Sequence, residues 1–376
     1  MKVLIIGGGM AGLTAATSLR KLDRHVEIIV VDPKEYMEVH WATIRAIFDP
    51  DIGPNSTFQI SKWAVSKSIK VIRQSVTKLT EMDATLSDGT VIEFNVAVVA
   101  AGSQTKFPAL GKGPPSVNAR AGSGDKSRRL AQLNAERQKY LNAQSVLVVG
   151  GGLIGVEFTG DLAYFARESG NTSIKITLVH SQDQLCPDTF TPKAAAMAMR
   201  KLELLGVQVI LNDRVKKEGN RVILENAKKQ IDAEQVVWAT GFYACNSGFM
   251  DAKFLDRKGF IEVDEYFRVK GAENSLFALG DCCDLLPNSG SQVLGTMGII
   301  GKNISAVLDA QQTGNYENIE KKMRKVLVQP EVYITTLGKQ TGVAQTPCCH
   351  TQFMLPWAKN STMFLFKPKG DLGLKD

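Results

Sequence analysis

Long uninterrupted apolar runs are missing from this 376-residue sequence. A helix that crosses a bilayer needs about 20 consecutive apolar residues, and the chain has no such stretch. The apolar run near the N-terminus, 3–6, stops at Gly7, which is too short for a secretory leader and predicts a β-strand. We therefore predict neither a transmembrane helix nor a signal peptide, and we expect a cytoplasmic location.

Cysteines are few and irregularly spaced. The chain has six, which argues against a disulfide framework and is typical of a reducing compartment. Cys282 and Cys283 are adjacent, and because a disulfide between neighbours is strained, packing is their predicted role. Cys348 and Cys349 precede His350, but no second ligand pair follows at the spacing of a zinc site. We predict no metal site.

Positive charge is in excess but is scattered along the chain. The formal net charge is +7. Two basic clusters, 126–139 and 321–325, contain no interleaved aromatic residues. Solvated helix faces account for such clusters, so nucleic-acid binding is not predicted.

A glycine fingerprint opens the chain. Gly7, Gly9 and Gly12 follow the first strand and lead into a stretch of helix-forming composition, 10–21. Glycines at this spacing allow a tight turn, the close approach of backbone to a pyrophosphate and the packing of helix on strand. A second apolar strand ends at Asp32, whose carboxylate is placed to bind a ribose hydroxyl. This unit predicts dinucleotide binding.

The same fingerprint recurs midway along the chain. Gly150, Gly152 and Gly155 again follow an apolar strand, but the next strand ends at His180 rather than at an acid. An acid at this position would repel the 2′-phosphate of NADPH, whereas a neutral or weakly basic side chain would not. We predict that NADH and NADPH are both accepted. The alternative is that His180 is an uninvolved surface residue.

Two nucleotide loops in one chain favour FAD paired with a nicotinamide nucleotide. The length leaves room for two such domains and a tail. We predict an α/β fold with two Rossmann-like dinucleotide-binding domains, one for FAD and one for NAD(P)H, and a small C-terminal domain. The predicted spans are 1–108 and 246–324 for the two parts of the FAD domain, 109–245 for the NAD(P)H domain, and 325–376 for the C-terminal domain.

Three short motifs point to a known family. Two strands end in small-residue turns, at Ala101-Gly102 and at Gly241, and a third ends in Gly-Asp at Asp281. With the two fingerprints, these motifs make the chain resemble the two-dinucleotide flavoproteins that include glutathione reductase, type II NADH dehydrogenase and apoptosis-inducing factor. The resemblance covers almost the whole length. It implies that the two turns bring the chain back across the nucleotide-binding folds. It also implies that Asp281 accepts a hydrogen bond from the ribityl chain of FAD.

Within that family the chain is most similar to short flavoproteins of the apoptosis-inducing-factor-like, ferroptosis-suppressor type. This likeness rests on segments 32–36, 41–45, 155–157, 178–181 and 280–282. It implies that Lys34 lies at the FAD site and that the activity is NAD(P)H:quinone oxidoreduction. The product would be a radical-trapping quinol that suppresses lipid peroxidation. The animal member starts with a myristoylated glycine, a modification that Lys2 excludes here.

Glutathione-reductase-like enzymes carry a cysteine pair beside the flavin ring, but the matching window, 40–48, has none. A dithiol relay through this window is therefore excluded, and a planar quinone suits direct electron transfer from the ring. Glu157 follows the second fingerprint and is predicted to fix the nicotinamide amide or to meet a cation beside the flavin. The alternative is that it only complements the helix dipole. Arg45 is predicted to hold the negative charge of the reduced flavin.

The C-terminal stretch, 353–376, combines aromatic residues with lysines. This composition suits the headgroup boundary of a membrane, where Lys359, Lys367 and Lys369 would meet anionic lipid. We predict peripheral contact with a lipid droplet, the mitochondrial outer membrane or the plasma membrane. An ordinary strand packed on the FAD domain is the alternative.

Two other functions stay open at this point. One is an NADH-dependent reductase of a soluble acceptor, of the ferredoxin or monodehydroascorbate type. The other is a pro-apoptotic DNA-binding flavoprotein, which would require an affinity that falls steeply with salt and which the scattered charge disfavours. A homodimer is compatible with the sequence.

Overall fold

The computed structural model describes residues 1–22, 25–104, 124–218, 221–241, 244–285, 290–328, 330–351 and 354–374. The strands are β1 (Lys2–Ile6), β2 (Glu27–Val31), β3 (Tyr36–Glu38), β4 (Thr57–Gln59), β5 (Lys70–Ile72), β6 (Val76–Leu79), β7 (Asp83–Leu86), β8 (Val91–Glu93), β9 (Val96–Val99), β10 (Ser103–Gln104), β11 (Ser145–Val149), β12 (Lys175–Val179), β13 (Gln208–Ile210), β14 (Val215–Glu218), β15 (Arg221–Leu224), β16 (Lys229–Gln230), β17 (Gln235–Trp238), β18 (Ala244–Cys245), β19 (Leu276–Ala278), β20 (Tyr333–Leu337), β21 (Thr341–Gln345) and β22 (His350–Thr351). The helices are α1 (Met10–Leu22), α2 (Thr43–Phe48), α3 (Ile52–Ser56), α4 (Ile60–Val65), α5 (Lys126–Leu141), α6 (Leu153–Glu168), α7 (Pro192–Leu204), α8 (Gly290–Gly295), α9 (Met297–Thr313), α10 (Ile319–Lys322), α11 (Met354–Thr362) and α12 (Phe366–Leu372).

A five-stranded parallel sheet contains the N-terminal strand, in the order β19-β9-β1-β2-β5. Its strands are short apolar runs because both faces are covered. Val3 and Ile5 face the cluster that includes residues of α1 and α9, whereas Leu4 and Ile6 face the antiparallel sheet β6-β7-β8. The strand order reverses between β1 and β9. Sheets of this kind bind ligands at the carboxyl end of the strands beside such a reversal.

A second parallel sheet repeats this plan, in the order β13-β12-β11-β17. β11 lies between β12 and β17 as β1 lies between β2 and β9. The antiparallel sheet β14-β15-β16 covers one of its faces. The predicted pair of Rossmann-like units is therefore confirmed, and β19 returns the chain to the first sheet. The predicted residue boundaries stay predictions, and the one at 108/109 lies outside the described residues.

The C-terminal part consists of the antiparallel sheet β20-β21-β22 followed by α11 and α12. The alternative of a packed strand in this tail is wrong, because the backbone there forms two helices. Pro356 occupies the first turn of α11, where the missing N–H costs no intrahelical bond. Trp41 Nε1 donates to the Met363 carbonyl at 2.7 Å, and Trp63 Nε1 donates to the Leu372 carbonyl at 3.0 Å. The tail is thereby attached to the first unit.

No helix in the described parts of the chain is long and apolar enough to cross a bilayer. Within the same residues, no group of three or more His, Cys, Asp or Glu side chains is arranged to hold a metal ion.

Candidate functional site

Two positions of the first glycine loop, Gly7 and Gly12, admit only glycine. Gly7 has a φ of +112°, and a Cβ on it would lie 2.2 Å from the Ala100 carbonyl oxygen. A Cβ on Gly12 would lie 1.8 Å from the Gly7 carbonyl oxygen. Gly9, by contrast, has nothing within 4 Å of where its Cβ would be. The space next to Gly9, at the N-terminus of α1, is free for a phosphate group.

The second loop has the same geometry. Gly150 has a φ of +111°, and its Cβ would meet the Ala239 carbonyl oxygen at 2.4 Å. The Cβ of Gly155 would lie 1.9 Å from the Gly150 carbonyl oxygen, and that of Gly152 would again meet nothing within 4 Å. Two sets of glycines thus hold α1 and α6 against their strands and leave an open cradle at each helix N-terminus.

Asp32, at the end of β2, is tied to the first loop. Its Oδ2 accepts the Gly8 N–H and its Oδ1 accepts the Lys34 N–H, both at 2.7 Å. The side chain is 6% exposed, so the carboxylate is fixed in one orientation. Lys34 places its ammonium over the ring of Tyr36, 5.5 Å from the centroid.

His180 fills the equivalent position in the second unit. Its Nδ1 accepts the Gly151 N–H at 3.1 Å, which assigns the ring proton to Nε2. Nε2 is buried and has no hydrogen-bond partner among the described residues. Burial lowers the pKa of His180 in spite of nearby Asp188, so the neutral ring is favoured at pH 7. A neutral ring places no negative charge on the ribose side of the second cradle.

The small-residue turns lie beside the two cradles. Gly102 and Gly241 have φ values of +70° and +67°, which favour glycine. The strands that precede them run beside β1 and β11, so Ala101-Gly102 and Gly241 are next to the glycine loops. Asp281 follows β19, and its Oδ2 accepts a hydrogen bond from Ser103 Oγ at 3.3 Å. The structure thus brings the three motifs to the carboxyl edge of the sheets.

Glu157 is the fifth residue of α6, just past its first turn, and is 8% exposed. Its Oε1 accepts the Thr336 hydroxyl and the Lys359 ammonium, each at 2.6 Å. Lys359 is 6% exposed and also donates to the Ile334 carbonyl at 3.0 Å. The prediction that Lys359 faces lipid is therefore wrong, because its charge is paired inside the protein. Nothing in the sequence pattern links residues 202 positions apart, so this partner was missed.

Arg45 is 1% exposed and makes a two-point ion pair with Asp161, with both N–O distances at 2.9 Å. It also donates to the Gly338 carbonyl at 2.7 Å and to Asn360 Oδ1 at 3.1 Å. Burial opposes its charge, but Asp161 outweighs this and raises the pKa of Arg45. Full burial raises the pKa of Asp161 in spite of the guanidinium. This geometry favours a positioning role, and contact of Arg45 with a flavin ring stays a prediction.

Cys282 and Cys283 are buried, as their predicted packing role requires. Burial raises the pKa of Cys282 to about 12 and raises that of Cys283 as well. Neither thiol is therefore available as a thiolate at neutral pH.

The profile of the pyridine nucleotide-disulphide oxidoreductase family matches residues 1–314. The chain belongs to this family. As a member, it is an α/β FAD-dependent NAD(P)H oxidoreductase. The two open cradles fit its cofactors, because each combines glycine backbone, a helix N-terminus and a ribose-side residue at the end of the next strand. The first cradle would hold FAD and the second NADH.

Three similar proteins cover nearly the whole chain. Ferroptosis suppressor protein 1 of Xenopus tropicalis is 26% identical over 392 residues, with 99% of this chain and 96% of the relative covered. A type II NADH:quinone oxidoreductase of Staphylococcus aureus is 26% identical over 354 residues, with coverage of 85% and 86%. The structure of NDH2 from Plasmodium falciparum with NADH superposes with a TM-score of 0.71 at 14% identity, and 99% of this chain and 96% of that one are covered. This superposition shows the common fold.

Proposed function

We propose that the protein is an NAD(P)H:quinone oxidoreductase that passes electrons through FAD to a lipid quinone such as ubiquinone. The observation that carries the proposal is the pair of nucleotide cradles in a chain without a cysteine at 40–48. Without a dithiol beside the flavin, an acceptor must reach the ring itself. The names of relatives that reduce quinones support this assignment. A quinol product would trap radicals during lipid peroxidation.

The described side chains chiefly position the reactants. With FAD held in the first cradle, two-electron reduction of a quinone by NAD(P)H would be possible, with one quinol proton supplied by the nicotinamide hydride and the other by solvent. Gly7, Gly9 and Gly12 would hold the FAD pyrophosphate, and Gly150, Gly152 and Gly155 that of NAD(P)H. These two glycine sets act through backbone N–H groups and helix N-termini.

Glu157 and Lys359 form a buried ion pair next to the second cradle. We assign Glu157 the role of fixing the nicotinamide amide, with Lys359 and Thr336 holding its carboxylate in one orientation. Asp281, Lys34, Ala101 and Gly102 are assigned to the FAD site on the basis of their place beside the first cradle.

The assignment is tested on the purified protein with FAD bound. A yellow flavin absorption band should be bleached by NADH under anaerobic conditions and restored by a short-chain ubiquinone. Ferredoxin and monodehydroascorbate serve as competing acceptors in steady-state assays. A faster rate with either soluble acceptor than with the quinone would overturn the quinone assignment and leave the flavoprotein reductase.

We also propose that the tail meets a membrane surface from the cytoplasmic side. Trp357 and Phe366 are 72% and 62% exposed, and Lys367, the residue after Phe366, is also exposed. Exposed aromatic residues next to lysines suit the headgroup region of an anionic membrane, from which a hydrophobic quinone could reach the protein. Phe353 lies outside the described residues.

A further inference from the structure

Two neighbouring thiols, Cys348 and Cys349, lie exposed between β21 and β22. Their sulfur atoms are 3.8 Å apart. The hydroxyl oxygen of Thr346 lies 3.5 Å from the first sulfur and 3.2 Å from the second. The hairpin turn is closed by a hydrogen bond from the Thr346 N–H to the Cys349 carbonyl at 2.7 Å. Both thiols therefore lie side by side at the surface.

These thiols differ in reactivity from the other four of the chain. Hydrogen bonds with Thr346 and then with Cys349 lower the pKa of Cys348. Burial raises the pKa of Cys186 to about 12 and that of Cys245 to about 11. Because the thiolate is the reactive form, a thiol-directed reagent should select the exposed pair.

The geometry suits a ligand that needs two sulfur atoms and no more. A direct disulfide between adjacent residues is strained. A divalent metal would need further protein ligands, and no group of three or more ligating side chains occurs among the described residues. A single bridging atom, by contrast, closes a ring one atom larger than the disulfide and needs only the two thiols.

We propose that Cys348 and Cys349 form a binding site for trivalent arsenicals with one organic substituent. With an arsenic oxide, each sulfur forms one bond to arsenic, and the two thiol protons leave with the oxide oxygen as one water molecule. Arsenic stays trivalent, so nothing is oxidised or reduced. The site includes no residue of either glycine loop and does not depend on the quinone assignment.

Phenylarsine oxide is the probe, and native mass spectrometry of the holoenzyme is the measurement. We expect one adduct per chain that a dithiol removes and that a monothiol at the same thiol concentration leaves in place. C348S and C349S should each raise the half-saturating concentration of phenylarsine oxide about a hundredfold or more. Each variant loses the second arsenic–sulfur bond and with it the advantage of linked attachment. C245S is the matched control, since Cys245 is the next most exposed thiol, and it should bind as the natural chain does.

The proposal is overturned if the natural chain takes up no adduct, if either single serine variant binds as tightly as the natural chain, or if only C245S abolishes binding. Because both thiols are exposed, the serine variants should keep the flavin spectrum of the natural chain. A changed spectrum would identify a folding defect and distinguish it from the loss of the arsenical site.

Discussion

One position in each glycine unit decides how the ribose side of the nucleotide is recognised. Asp32 and His180 both accept an N–H from the loop glycine, but only Asp32 does so as a carboxylate. The fingerprint spacing was sufficient to find both residues, because each follows the second strand of its unit. The tautomer of His180 was not predictable, since it depends on the Gly151 N–H that the fold brings to Nδ1.

His180→Asp should give the second unit the carboxylate that Asp32 supplies at the same position of the first unit. The new carboxylate would accept the Gly151 N–H and repel a 2′-phosphate, so kcat/KM for NADPH should fall relative to NADH by about tenfold or more, or about 1.4 kcal/mol. Steady-state kinetics with both nucleotides measure this ratio. His180→Asn is the control, because its amide oxygen can accept the same N–H without charge. An equal loss for both nucleotides in His180→Asp would refute the role.

Glu157→Gln should slow the reduction of bound flavin by NADH. The amide keeps the shape of the side chain but loses a charged hydrogen bond worth about 1.5–3 kcal/mol, or roughly 10- to 100-fold in rate. Anaerobic stopped-flow absorbance measures the reduction rate, and the flavin content of the same sample shows whether FAD stays bound. Unchanged reduction rates would leave Glu157 with a purely structural role at the start of α6.

Secondary structure elements were predictable where a local signal marks them. The stretch expected to be helical, 10–21, is α1, which spans Met10–Leu22. The tail gave no such signal, because its apolar residues follow neither a clear strand period nor a clear helix period. Its helices are set by tertiary contacts instead, including the bonds from Trp41 and Trp63 to the backbone of the tail.

Replacing both exposed aromatic residues of the tail, Trp357→Ser with Phe366→Ser, should weaken binding to anionic liposomes. Burying one large apolar side chain contributes about 1.5–3 kcal/mol, so the loss of two should reduce flotation more than tenfold. Met82→Ser is the control, since Met82 is equally exposed, at 73%, on the first unit. Flotation of the double variant equal to that of the natural chain would exclude the tail as the contact surface.

A buried ion pair joins β3 to α5 and makes stability depend on pH. Burial alone would raise the pKa of Glu38, but the charge and hydrogen bonds of Arg129 outweigh it and lower the pKa to about 2. Arg129 donates to both carboxylate oxygens, at 3.0 and 2.9 Å. A lowered pKa in the folded state means that this stability is present above the ordinary carboxyl pKa and is lost as the pH falls.

Thermal midpoints measured between pH 6 and pH 3 should show about 2 kcal/mol of this loss, out of about 3 kcal/mol that is complete only below pH 2. Glu38→Gln should be less stable at pH 6, since it leaves Arg129 buried without a charge partner, and its midpoint should depend less on pH over the same range. Parallel pH profiles for the two proteins would contradict the assignment to Glu38.

The two-unit architecture was predictable from the sequence because its repeat is encoded locally. Two Rossmann-like units and the return of the chain to the first sheet were predicted from local motifs. These motifs are the two fingerprints, the two small-residue turns and the Gly-Asp pair after the last strand of that sheet. The contacts between the two units could not be predicted from the sequence. Arg45 was placed next to the flavin on its sequence position, whereas the fold pairs it with an acid on α6, 116 residues away.

Arg45→Met should destabilise the whole molecule. It leaves Asp161 buried without a charge partner, with only the Gly338 N–H still donating to it, a change that costs about 3–5 kcal/mol. The thermal midpoint should drop by several degrees, and the double variant Arg45→Met with Asp161→Leu should recover most of the loss because no charge remains unpaired. Additive losses in the double variant would show that the two residues act independently.

Glu157 and Asp161 are spaced one turn apart on α6, and each is held by a cation from another part of the chain. A swivel of one sheet unit relative to the other would pull the guanidinium of Arg45 from its acid in a dry interior. Large hinge opening during turnover is therefore disfavoured. NAD(P)H and the acceptor would then exchange while the two sheet units keep one relative orientation.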